Sequence, residues 1–106
     1  MPKYLAQFNY TGEGLKGFLK EGGTSRRAAV EKLVKSLGGT LEVYYYAFGE
    51  TDGFAVADMP DNASMAALAL TVSASGAATV KTTVLITPEE IDETTKKKAN
   101  YRPPGK

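Results

Sequence analysis

Two of the side chains most used for chemistry are missing from this chain of 106 residues, which contains no Cys and no His. Without Cys there is no disulfide, no thiolate nucleophile, and no zinc–thiolate or iron–sulfur site. Without His, the usual metal ligand and the usual general base near neutral pH are both absent. Trp is missing as well, so six Tyr and four Phe supply the aromatic character.

Several groups stand out by type and spacing. Gly12-Glu13-Gly14-Leu15-Lys16-Gly17 has the Gly-x-Gly-x-x-Gly form and follows a strand pattern. A dinucleotide site needs those glycines at a helix N-terminus in a parallel sheet, with an acid about 20 residues on. Glu42 falls at the start of the next strand pattern rather than its end, and a doubly wound sheet does not fit in this length. The segment reads better as a flexible cover. Met1-Pro2 would offer a proline amine as base only once Met1 is removed. Glu50 and Asp52 straddle a turn, where Asp and Gly need no further role. Asp58 is sharper, because it lies within an apolar strand, and Lys81 is a candidate partner. Arg26 and Arg27 open a helix where their charge opposes the macrodipole. That points to an anion or an acid across an interface, although a solvated pair is the plainer reading.

Positioning these groups are elements that the residue patterns predict. Lys3 to Tyr10 alternates as a strand with Tyr4, Ala6, Phe8 and Tyr10 on its apolar face. Residues 12–23 carry five glycines and read as a short irregular helix or an ordered loop. Thr24 or Ser25 caps the next helix, in which Val30, Leu33, Val34 and Leu37 form a stripe ending at Gly38. Thr40 to Phe48 and Gly53 to Met59 form a hairpin. Asp61 caps a helix with Met65, Leu68, Ala69 and Val72 on one face. Ala77 to Ile86 is a fourth strand. Thr87-Pro88-Glu89-Glu90 is a capping box opening a short last helix. The order β-α-β-β-α-β gives an α+β, ferredoxin-like fold: a four-stranded antiparallel sheet with helices on one face. One domain of this length has an expected radius of gyration of about 13 Å.

Strict alternation places Leu41, Val43 and Tyr45 on one side of the second strand and Tyr44, Tyr46 and Phe48 on the other. With Leu85 and Met59, these aromatics would leave the second face of the sheet more apolar than a monomer tolerates. A homodimer packed sheet against sheet is the expectation. Gln7, Asn9, Tyr44, Tyr46, Lys81 and Thr83 share this face in that alternation, and Asp58 is added as a possible cleft acid. Aromatic walls with a few polar groups describe a small-molecule cleft and a dimer interface equally.

The run Gly49-Glu50-Thr51-Asp52-Gly53-Phe54-Ala55-Val56-Ala57-Asp58-Met59-Pro60-Asp61 resembles the signature of the GYD-domain family. Pro2-Lys3-Tyr4-Leu5, Arg26-Arg27, Gly38-Gly39, and Thr82 to Ile86 leading into Thr87-Pro88-Glu89-Glu90 extend the likeness over residues 2–93. It implies a dimeric α+β barrel and no particular reaction. Thr51 stands where the family usually has Tyr, so chemistry resting on that ring would be lost.

The charge is uneven. Lys96, Lys97, Lys98, Arg102 and Lys106 follow Thr94 with no acid, leaving 8 bases against 12 acids, a balance of −4, in residues 1–94. We divide the chain there, into a domain of residues 1–94 and a basic tail of residues 95–106. A tail without a basic face argues against nucleic acid, and no apolar run approaches the roughly 20 residues of a membrane span. The expected location is cytoplasmic. The expected function is a homo-oligomeric module binding a small, partly apolar ligand in the sheet–sheet cleft, with no metal and no cofactor. The alternatives are a metal-free enzyme of monooxygenase or isomerase type, using Tyr44 or Tyr46, Lys81 and a carboxylate, and a purely structural assembly subunit.

Overall fold

Residues 1–106 are all described by a computed structural model. In chain order the elements are β1 (Lys3–Tyr10), α1 (Gly12–Glu21), α2 (Gly23–Ser36), β2 (Thr40–Tyr46), β3 (Gly53–Asp58), α3 (Asn62–Ala74), β4 (Ala78–Leu85) and α4 (Pro88–Thr95). The strands form one sheet in the order β2-β3-β1-β4, with every neighbouring pair antiparallel. This is the predicted ferredoxin-like arrangement.

Alternation along β1 sends Tyr4, Ala6 and Phe8 toward the helices. The core closes where Tyr4, Ala57 and Met59 meet Val34 of α2 and Met65 and Leu68 of α3. Tyr4 can be buried because its hydroxyl donates to Asn62 Oδ1. Met59 is fully buried, not on the open face where the alternation reading placed it. It continues the inward phase of Ala55 and Ala57 past the end of β3, and its N–H donates to the Pro2 carbonyl at 3.0 Å.

Residues 12–21 make a regular helix rather than an irregular segment. The local cost of three glycines is offset by a cap and by packing. Thr11 Oγ1 accepts from the Gly14 N–H at 3.1 Å and donates to the Gly76 carbonyl at 2.7 Å. Gly14 lies so close to the chain before β4 that a Cβ would stand 1.9 Å from the Ala77 carbonyl oxygen. Within the Gly-x-Gly-x-x-Gly pattern, Gly14 therefore serves the packing of α1 on the entry to β4, while nothing lies within 4 Å of a Cβ at Gly12 or Gly17. α2 starts at Gly23, ahead of Thr24 and Ser25, and its N-cap Gly22 offers no side chain. Asp61 and Thr87 cap α3 and α4 as expected, the latter with a complete capping box.

Strict alternation fails in β2. Leu41 pairs with Ala57 but Val43 pairs with Val56, so Glu42 is the extra residue of a bulge. From there Tyr44 and Tyr46 face the helices, opposite Ala55 and Gly53. Val43 and Tyr45 face the open side, opposite Val56 and Phe54. The expectation for all three tyrosines is thus reversed.

From Pro88 to Lys106 every residue is exposed. This arm explains why the radius of gyration is 17.1 Å and the longest dimension 58 Å, above the 13 Å expectation for a compact chain.

Gly53 sits where a Cβ would be 2.1 Å from the Phe8 ring, whereas nothing lies within 4 Å of a Cβ at Gly17. Gly53→Ala is therefore expected to cost at least about 1–3 kcal/mol through overpacking, a fall of roughly 4–8 °C in Tm for each kcal/mol. Gly17→Ala, inside a helix, should stabilise by about 0.5–1 kcal/mol. Thermal unfolding followed by circular dichroism separates the two, and equal responses would contradict the packing described.

Candidate functional site

Five aromatic side chains from three elements converge at one end of the helix-side space. Phe8 stacks on Tyr44 at 5.4 Å between ring centroids and meets Tyr10 edge-on at 5.8 Å. Phe18 of α1 stacks on Tyr10 at 5.3 Å and tilts against Tyr46 at 5.1 Å. Such pairs add about 0.5–1.5 kcal/mol beyond their burial. The Tyr46 hydroxyl donates to the Gly23 carbonyl at 2.8 Å, tying β2 to the first turn of α2.

Beside this cluster, between the sheet and helices α2 and α3, lies a cavity of about 110 Å³. Its floor is Ala6, Ala55, Ala57 and Ala78, one or two from each of β1, β3 and β4. Small side chains at these inward positions leave the space that larger ones would fill. Val30, Leu33, Leu68 and Val72 form the helix side. Of the seventeen lining residues, Arg26 alone carries a charge. It lies at the end formed by Phe8, Tyr10 and Tyr44, with its side chain about one-third exposed, and its nearest acid is Glu21, Nη1 to Oε2 at 3.5 Å.

The phenols at this end are held neutral. Burial pushes Tyr44 far above the ordinary tyrosine value, and the nearby Tyr46 and Tyr10 hydroxyls act in the same direction. Burial also raises Tyr10, opposed in part by hydrogen bonding with Tyr44 and by the Arg26 charge.

On the other face lie Gln7, Asn9, Asp58, Lys81 and Thr83. Gln7 stands opposite Lys81, and Thr83 opposite Leu5. The partner of Asp58 is Lys3, whose Nζ donates to Oδ1 at 2.9 Å and Oδ2 at 3.2 Å and also pairs with Glu42. Lys81 does not take that role. A hydrogen bond with Glu42, then one from Lys3, holds the Asp58 carboxyl below its usual range. The same two acids, Glu42 first, raise Lys3. Asn9 is occupied by the turn, its Oδ1 accepting from the Asp52 N–H at 2.9 Å. Asp52 Oδ2 accepts from the Tyr10 N–H at 2.9 Å, so the acid of the Gly49–Asp52 turn pins the hairpin to β1. Glu50 is exposed beside it.

The seven residues proposed from the sequence as one ligand set are therefore split by the sheet. Gln7, Asn9, Asp58, Lys81 and Thr83 lie on the open face, and Tyr44 and Tyr46 on the helix face. An active site joining Tyr44 or Tyr46 to Lys81 and Asp58 is not assembled within one chain. No three acidic residues group as a metal site. Sequence reasoning missed the alanine floor and the part of Tyr10 and Phe18. Alanines at inward-facing positions of three strands were the available signal.

The family model of the GYD domain matches residues 4–95. Comparison with curated proteins finds no match, and none of the solved structures matches.

A phenol whose folded pKa is raised contributes stability that is complete below its unfolded value of about 10. That stability is lost as pH rises through the folded value. Alkaline titration followed by tyrosinate absorbance should show a delayed fraction that appears only with unfolding. Tyr44→Phe should shrink that fraction. Ionisation of all six tyrosines in one phase, with the fold intact, would contradict the burial described.

Proposed function

Since the chain belongs to the GYD-domain family, whose likeness carries a fold and no reaction, we propose from its geometry that it is a binding module for a compact, largely apolar small molecule held on the helix side of the sheet. The observation that carries this reading is the cavity of about 110 Å³ over a floor of four alanines. An apolar cavity of about 150 Å³ is known to bind benzene, so the scale suits one small ring or a short branched chain. The space opens to solvent at its Arg26 end, so an occupant would gain by removing the apolar lining from water. The ligand site accordingly moves from the sheet–sheet cleft to the interior of each subunit.

A second reading, concerning assembly, is favoured by the open face. Val43, Tyr45, Phe54, Val56, Leu5 and Leu85 alternate outward there, and Tyr45 is 70% exposed. In this reading a second copy of the chain covers the face by twofold packing of sheet on sheet. The basic arm then reaches an acidic neighbouring body, five bases after Thr94 against a balance of −4 before it.

Benzyl alcohol titrated into labelled protein should shift the NMR signals of Val30, Leu33, Leu68 and Val72. Ala29→Phe, which places a ring among the lining residues from a position exposed on α2, should abolish those shifts without unfolding the chain. Absence of any shift at millimolar benzyl alcohol would overturn the pocket reading. Sedimentation at micromolar concentration should give a dimer or larger for the natural chain. Tyr45→Glu with Phe54→Lys, an opposite-charge pair across the strands, should give a monomer. A monomeric natural chain would overturn the assembly reading alone.

A further inference from the structure

We infer that the pocket takes an anion, a compact aryl or short-chain monocarboxylate whose apolar body lies over the alanine floor and whose carboxylate pairs with the Arg26 guanidinium beside the Tyr10 hydroxyl. This rests on the reading of the cavity as a binding site and adds the charge of its occupant.

Three observations lead there. Arg26 is the one charged residue lining an otherwise apolar space, and no carboxylate lines it in return. The local helix does not account for it: Arg26 lies in the first turns of α2, where the macrodipole disfavours a cation. Nor does Glu21 satisfy it, because a single contact at 3.5 Å is longer than the 2.7–2.9 Å typical of a charge-assisted bond and engages one of five guanidinium donors.

The neighbouring groups complete an anion site. Tyr10 and Tyr44 are neutral phenols at ordinary pH; the Tyr44 hydroxyl is engaged with Tyr10, which leaves the Tyr10 proton for a ligand. A cation and one hydroxyl donor at the end of an apolar chamber match one negative group attached to one apolar body. The planar fork of Arg fits a carboxylate through two parallel bonds. A phosphate dianion would bring more charge and more acceptor oxygens into this small space than one guanidinium and one hydroxyl satisfy. The monocarboxylate is the class that fits.

The test compares benzoate with benzyl alcohol, similar in ring and differing in charge, by calorimetric or NMR titration of the full chain at low salt. Benzoate should bind at least about tenfold more tightly, the scale of a hydrogen bond to a charged group. Arg26→Gln should bring benzoate down to the level of benzyl alcohol and leave benzyl alcohol unchanged. Arg27→Gln, next in the chain but not part of the pocket lining, should change neither. Equal affinity for the two probes would overturn the anion inference while leaving the apolar pocket standing. So would a loss of both probes in the folded Arg26→Gln protein, or an equal effect of Arg27→Gln. Failure of benzyl alcohol to bind the natural chain would overturn the pocket itself and this inference with it.

Discussion

One extra residue in β2 sets the phase of three consecutive tyrosines. The bulge at Glu42 lets Leu41 keep its place in the core while Tyr44 and Tyr46 also turn inward. Without it, Val43 and Tyr45 would follow Leu41 toward the helices, and Phe8 would lose both partners in β2. The end wall of the cavity would go with them. The bulge also brings the Glu42 carboxylate to Lys3, where it joins Asp58. Ion pairs this exposed contribute little to stability.

The sheet is thereby divided into two unlike faces. Inward, aromatics at one end and alanines along the floor leave room beneath α2 and α3. Outward, apolar residues alternate with Gln7, Lys81 and Thr83 on a surface that no helix covers. A four-stranded sheet is an impassable wall for side chains, so groups on opposite faces do not act on one reacting atom within one subunit. That constraint keeps Tyr44 and Tyr46 apart from Lys81 and Asp58 within one chain.

Local signals were legible in the residues and tertiary ones were not. The caps at Asp61 and Thr87, the stripe through Val30, Leu33, Val34 and Leu37, and the order of elements along the chain all follow from spacing within a few residues. The Gly49–Asp61 run identified the family, although in the structure Asp52 ties the hairpin to β1 and Gly53 admits the Phe8 ring. Residues 12–21 resisted because three glycines weaken any helical pattern, and what stabilises the helix is Thr11, Gly14 against Ala77, and Phe18 between two tyrosines. β2 resisted for a related reason. Leu41 to Phe48 is apolar or aromatic in both phases except at Glu42, so alternation carries no information about where a bulge falls. Space is the least legible of all, since an alanine marks a void only once its neighbours across two strands are known.

Arg26 belongs to a helix start and the alanine floor to three strands, and they meet at one space. A guanidinium at the start of a helix is locally unfavourable. An apolar cavity in a small domain is unfavourable for packing. Each alone would be an ordinary imperfection of a natural sequence. Together they place one guanidinium, about one-third exposed, at the end of an otherwise apolar space, and it is this pairing, rather than either feature alone, that the proposed anionic ligand would need.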